Sequence, residues 1–286
     1  MIVDAHHHFW DPARAEYPWL TGDLAPIRRA FGPADLRPLL VQHGVDRTVV
    51  VQTRSSLEET RELLAVAEAT DFVAGVVGWV DLASPHVAAT LSELRAGAGG
   101  RWLAGIRHQV HDEGDPGWLL HPGVRRGLRA VGEAGLAYDL LVRPRELPAA
   151  LQVARDLAEV RFVVDHVAKP RIREGGDAEW AERLAPLSDL PNVHCKLSGM
   201  VTEADWERWR PDDLAPFARR AVGWFGEDRV MFGSDWPVCL VAAPYGRVLD
   251  ALREALPDLP AGAWDRVLGR NATGFYRLDL GAGSIV

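Results

Sequence analysis

Eight short apolar segments, each followed by a stretch of different periodicity, constrain this chain more than any single residue does. They occupy residues 2–8, 47–53, 72–80, 102–108, 136–142, 161–167, 192–197 and 229–233, and are rich in β-branched or aromatic side chains. Short runs of that kind suit strands covered on both faces. Between them, apolar residues recur at helical spacing. In 57–69, Leu63, Leu64 and Ala67 share a stripe opposite Glu58, Glu59, Arg61 and Glu62, and 85–95, 124–134, 144–158, 178–187, 211–225 and 246–255 are similar. Strands separated by helices run parallel, because a crossover returns the chain in the same direction. Eight such units predict an α/β fold, a closed (β/α)₈ TIM-like barrel. A doubly wound open sheet would announce a glycine-rich phosphate turn after the first strand, and none is present. A last helix at 261–269 is expected to cap the barrel, and residues 1–286 read as one domain.

Composition narrows the partners. A formal charge of -8 argues against a nucleic-acid binder, which would need a basic stripe, and gives no reason to expect docking on anionic lipid. No apolar run reaches the ~18–20 residues of a membrane span. The first residues, Met-Ile-Val-Asp-Ala-His-His-His, lack the pattern of a signal peptide. Cys195 and Cys239 offer neither a disulfide framework nor a metal pattern. The expectation is a cytoplasmic protein acting on a small molecule.

Reacting groups of such barrels sit where strands end and the following loops begin. The first strand ends Asp4-Ala5-His6-His7-His8, and alternation puts His6 and His8 on one face. The sixth ends Val164-Asp165-His166, with His166 expected on the face of Phe162 and Val164, and Asp165 opposite. The eighth runs into Gly233-Ser234-Asp235-Trp236-Pro237, which sets one carboxylate at the barrel mouth as a candidate general base. Arg107 and His108 end the fourth strand, and Lys196, on the seventh, is placed to pair with Asp235 or a substrate oxygen. Ser234 lacks the Gly-x-Ser-x-Gly elbow of a nucleophile, and Cys239 is a weaker candidate still. The long first loop, 10–33, carries Trp10, Tyr17, Trp19 and Phe31 and reads as a binding loop.

Together these residues resemble the amidohydrolase superfamily, whose mark is a His-x-His on the first strand with a later histidine and a final-strand aspartate. More narrowly, Asp4-Ala5-His6-x-His8-Phe9-Trp10, Asp165-His166-x-Ala168-Lys169-Pro170, Lys196-Leu197-Ser198-Gly199 and Met231-Phe232-Gly233-Ser234-Asp235-Trp236-Pro237 are similar to its sugar-lactonase branch. That branch holds the L-fuconolactonase and L-rhamnonolactonase families, and Gly105–Glu113 with Asp115–Leu119 looks most like the former. The resemblance implies hydrolysis of an aldonolactone, L-fucono-lactone or a relative, to its sugar acid. It assigns the acid/base to Asp235 and carbonyl polarisation to His6, His8 and His166. Substrate contacts are expected from Arg107, His108, Lys196, Trp10, Trp79 and Trp236. No metal is required, although His6, His8, His166 and Asp235 suit a single Zn²⁺ by ligand type. The fourth strand offers Arg107 and His108 where many superfamily members carry a lysine or glutamate bridging two metals. Two other readings compete: a metal-dependent amidohydrolase or decarboxylase of the same superfamily, and a barrel that binds a sugar acid without turnover.

Overall fold

The computed structural model describes residues 1–176 and 178–280. Eight strands, β1 Val3–His7, β2 Arg47–Val51, β3 Val73–Gly78, β4 Leu103–His108, β5 Ala137–Leu140, β6 Arg161–Val164, β7 Val193–Leu197 and β8 Val230–Phe232, pair in parallel in sequence order. The sheet closes where His7 bridges Trp236: the His8 N–H donates to the Trp236 carbonyl at 2.7 Å, and the Asp235 N–H to the His6 carbonyl at 2.8 Å. Closure and candidate site therefore coincide.

The main helices are α1 Pro33–His43, α2 Leu57–Glu68, α3 Val87–Ala96, α4 Pro122–Glu133, α5 Leu147–Asp156, α6 Ala178–Leu184, α7 Pro211–Phe225 and α8 Tyr245–Ala255. The helix α1 departs from the sequence reading, which placed no helix before β2. Pro33 at its first position and Gly44 at φ 64 just past its end are ordinary helix punctuation. Pro38 inside it and the thin apolar stripe of Leu36 and Leu40 hide the period. Among the described residues, no helix is long and apolar enough to cross a membrane.

Two apolar layers position the site. A large one lies between strands and helices, while a smaller one inside the barrel includes Val3, Ala5, Val49, Val51, Val163 and Met231. Ala272, Phe275 and Tyr276 join the inner layer. Arg266–Arg270, within and just past the expected cap, packs against β1 and β8, and Asn271–Tyr276 continues beneath the barrel. The inner residues are mostly small, which leaves room above them for a layer of charged and imidazole groups. The first loop is tied at its base by a Trp10–Phe31 bridge, and Trp19 Nε1 donates to the Thr53 carbonyl at 3.1 Å, which lays the loop beside the barrel mouth.

Candidate active site

Simple alternation on β1 would face Val3 and Ala5 inward and send His6 out. A register shift between Asp4 and His7 inserts one residue into the pairing with β2. Such a bulge re-aims the side chains beyond it. His6 and His8 consequently meet, their Nε2 atoms 3.2 Å apart, while His7 turns away to Thr48 Oγ1 at 2.8 Å. His8 is fixed from behind, its Nδ1 2.7 Å from the Val51 carbonyl oxygen.

Asp235 follows β8 in a left-handed conformation, φ 57. Asp4 holds that turn from below: it accepts from the Ser234 N–H at 2.8 Å, the Ser234 hydroxyl at 2.6 Å and the Tyr245 hydroxyl at 3.1 Å. Ser234 is therefore a structural wedge. A Cβ at Gly233 would sit 2.6 Å from His6 Cβ, so glycine lets β8 approach β1 closely. The result sets Asp235 Oδ1 3.4 Å from His8 Nε2 and 3.9 Å from the Nε2 atoms of both His6 and His166.

His166 arrives by a different route. Val163 belongs to the inner layer, and Phe162 and Val164 to the outer one. The face assigned to His166 from the sequence is thus the outward one, and Asp165 is the residue that alternation points inside. His166, Val167, Ala168 and Lys169 then all take positive φ, 51–58°, and this left-handed run swings His166 back over the barrel. Its Nδ1 meets Ser198 Oγ at 2.9 Å. A side chain at Gly199 would collide with the ring.

Beneath the histidines lies a buried charge network. Arg107 Nη1 donates to Asp165 Oδ2 at 3.0 Å, and Lys196 Nζ reaches Asp139 Oδ2 at 2.6 Å and Asp165 Oδ1 at 3.0 Å. The Tyr276 hydroxyl donates to Asp139 Oδ2 at 2.7 Å. Burial opposes charge on Asp165, yet Lys196, His6 and Arg107 outweigh it and hold its carboxyl well below the ordinary range. Burial likewise opposes charge on Asp235, and His166 and His8 bring its carboxyl below the usual value. His6 is pushed well below its ordinary value by burial and then Lys196, and His166 by burial to about 4, so both rings are neutral at pH 7.

A cavity of about 350 Å³ opens above this layer. His8, Arg107, His166 and Asp235 form its floor, Trp19, Leu24, Trp206 and Val238 its apolar wall, and Thr53, Gln109, His111, Arg143, Lys169 and Glu203 its polar wall. Several expected substrate contacts lie elsewhere. Lys196 is sealed below His6 and pairs with Asp139 and Asp165, not Asp235. His108 points away because Arg107 takes the inward position: it accepts from Trp79 Nε1 at 2.9 Å, stacks on Trp118 and bonds Glu113 at 2.7 Å. Trp10 is used up in packing on Trp19 and Phe31, and Trp236 in packing on Phe9 and Phe31. Trp19 lay within the loop singled out from sequence. Trp206 carried no signal at all.

A family model described as Amidohydrolase matches residues 3–278. The chain belongs to that family. It is 43% identical to an L-fucono-1,5-lactonase of Burkholderia ambifaria, over 98% of this chain and 97% of that one. A second L-fucono-1,5-lactonase, from Burkholderia multivorans, is 37% identical over 96% of each chain. Among solved structures, a Burkholderia multivorans amidohydrolase crystallised with bound zinc superposes with a TM-score of 0.91 at 35% identity, over 98% of this chain and 100% of that one.

Two acid–imidazole sets in this amidohydrolase bring their ligand atoms within 4.8 Å of one another: His6, His8 and Asp235, and His6, Asp165 and His166. The first suits a cation better, since Asp165 is already engaged by Arg107 and Lys196. Neutral, buried imidazoles are what a metal requires of its ligands.

The same burial predicts acid lability. Folded pKa values fall to about 3 at His7, 4 at His166, 4 at His194 and 2 at His111, and well below 6.5 at His6. Where the folded value is depressed, the unfolded chain binds the proton first. Stability is then complete above 6.5 and is lost as pH falls toward the folded values. Asp4 and Asp139, raised to about 6 by burial, work the other way, but two carboxyls oppose five imidazoles. The thermal midpoint is expected to drop steadily between pH 6.5 and 4, and a flat profile across that window would contradict these neutral rings.

Proposed function

We propose that this amidohydrolase opens a sugar lactone to its open-chain acid, with L-fucono-1,5-lactone the preferred substrate. The observation that carries the reading is the meeting of one carboxylate oxygen with three buried imidazole nitrogens within 3.9 Å, at the floor of the cavity. The likeness to two L-fucono-1,5-lactonases over nearly their full length supports the substrate class. The catalytic unit is taken as one domain over 1–286, of which 177 and 281–286 lie outside the described residues.

Asp235, held as a carboxylate, takes a proton from the attacking water and returns it to the departing ring oxygen. The polar groups beside it, His8, His166 and Arg107, are arranged to stabilise charge developing on the carbonyl oxygen. His6 lies behind them and supports His8. Trp19 and Trp206 offer flat apolar surface to a sugar ring, and Gln109, Thr53, Arg143 and Lys169 offer polar groups to its hydroxyls.

The donor set also fits a single zinc ion. Nitrogen and oxygen ligands of this kind suit Zn²⁺, and His8 has its far nitrogen tied to a carbonyl, as metal-binding histidines do. His6, His8 and Asp235, with His166 as a fourth, would hold it, and a bound ion would supply Lewis-acid polarisation of the lactone carbonyl. Both acid–imidazole sets favour this metal-assisted form over catalysis by Asp235 and histidines alone.

A panel of aldonolactones followed by proton release, with protein as purified, chelator-treated and zinc-reloaded, tests the reading. L-Fucono-1,5-lactone is expected to react fastest, with zinc raising a rate that the stripped protein retains in part. No turnover of any aldonolactone in all three states would overturn it. Saturable binding without turnover would instead identify a sugar-acid-binding barrel.

A further inference from the structure

Glu59 does not line the cavity and is only 3% exposed, yet its contacts depart from those its position in the helix predicts. It stands three residues after Ser56, the N-cap of α2. A glutamate there ordinarily reaches back to the N-cap backbone N–H and completes a capping box. Only half of that exchange is made. The Glu59 N–H donates to Ser56 Oγ at 3.2 Å, whereas the Ser56 N–H goes to the Arg54 carbonyl at 2.9 Å. The Glu59 carboxyl group turns instead to the loop between β2 and α2. Its Oε2 accepts from the Thr53 N–H at 3.0 Å and the Arg54 N–H at 2.8 Å, and its Oε1 accepts from the Thr53 hydroxyl.

The Arg54 N–H and the Thr53 carbonyl belong to one planar peptide, so aiming the first also aims the second. That carbonyl accepts from Trp19 Nε1 at 3.1 Å and from Gln109 Nε2 at 2.9 Å. Both donors line the cavity, and each comes from a different loop, Trp19 from the one after β1 and Gln109 from the one after β4. Three loops of the barrel mouth therefore meet at one carbonyl oxygen. Arg54 adds a second tie. Its Nε lies 3.6 Å from Glu59 Oε1, and its guanidinium carbon lies 5.3 Å from the centre of the Tyr17 ring, which packs edge-on against Trp19.

We propose that Glu59 is a positioning residue: by fixing the Thr53–Arg54 peptide it sets where Trp19 and Gln109 stand in the cavity wall, and so sets affinity for the lactone without touching it. The effect on affinity rests on the lactonase reading above, and the effect on Trp19 does not. Capping of α2 is served by Ser56 Oγ, which leaves the Glu59 side chain free for the loop.

The test follows the Trp19 indole proton. In protein labelled with ¹⁵N-tryptophan, Trp19→Phe identifies the Trp19 signal. Its exchange with water is expected to be about tenfold faster in Glu59→Ala than in the parent, as for a group whose local opening has become easier. Glu59→Asp draws the acid back by one carbon–carbon bond and is expected to fall between them, and it carries the test if the alanine protein does not fold. Glu59→Gln keeps an oxygen for the two backbone N–H groups and should stay near the parent. With the aldonolactone that the parent turns over fastest, KM should rise about tenfold in Glu59→Ala while kcat changes less than about threefold, the split expected when ground-state binding is lost. Unchanged Trp19 exchange in the folded alanine or aspartate protein overturns the proposal. So does equal acceleration of every indole, a Glu59→Gln protein as perturbed as Glu59→Asp, or a loss of kcat at constant KM. The exchange measurement uses no lactone, so a failed lactone panel and a failed positioning role are separate results.

Discussion

Replacing Asp235 with asparagine is expected to lower kcat by about 10²–10⁴-fold, the range for loss of a positioned general acid–base group. The substitution isolates chemistry from structure. Asparagine has nearly the same shape and is among the few residues that visit the left-handed region readily, so φ 57 at this position is no obstacle. The backbone bond from residue 235 to the His6 carbonyl also survives, since it uses only the main chain. What disappears is the carboxylate that His166 and His8 hold in its charged form. Proton release from the aldonolactone that the parent turns over fastest measures kcat, and the thermal midpoint should stay near the parent's. A folded Asp235→Asn protein that keeps kcat within about tenfold would remove Asp235 from the acid–base role.

The largest effect on stability is expected from Asp165→Ala. Asp165 is fully buried and faces three partners: Arg107 at 3.0 Å, Lys196 at 3.0 Å and His6 at 3.3 Å. Truncation leaves two buried cations with Asp139 as the neighbouring carboxylate, and burial already pushes Asp139 up to about 6. Removing one member of a buried ion network costs roughly 3–5 kcal/mol, because the remaining charges stay dry and uncompensated. At about 2–4 °C per kcal/mol for a chain of this size class, the midpoint should fall by roughly 10 °C. Asp165→Asn keeps the volume and part of the hydrogen bonding, and is expected to fall between alanine and the parent. A midpoint for Asp165→Ala within about 3 °C of the parent would show that the network contributes little.

The second prediction concerns a residue that the sequence reading had placed on the wrong side of its strand. Phe162, Val164 and His166 share a parity, and a strand-period argument keeps them on one face. The chain leaves strand geometry at Asp165, and four consecutive left-handed residues carry His166 inward by another path. On β1 the opposite happened. Pairing His6 with His8 was correct, but the inward orientation comes from a bulge that no period-two pattern contains.

What the sequence determined by itself was the order and type of the elements and the four residues at the centre. Eight buried parallel strands require β-branched runs at regular intervals, and a barrel offers reactive groups only at one end of them. Periodicity and residue type carry that information locally. It failed at α1, where an internal proline and a thin apolar stripe weaken the period. Tertiary structure alone decided which groups face one another. That Lys196 meets Asp139 rather than Asp235, that His108 serves Trp79 and Glu113, and that Trp206 rather than Trp236 walls the cavity all depend on closure of β1 against β8 and on loops that leave regular geometry. Contacts across a closed barrel join residues more than 50 positions apart, and a bulge or a left-handed turn inverts a face without leaving a mark in composition.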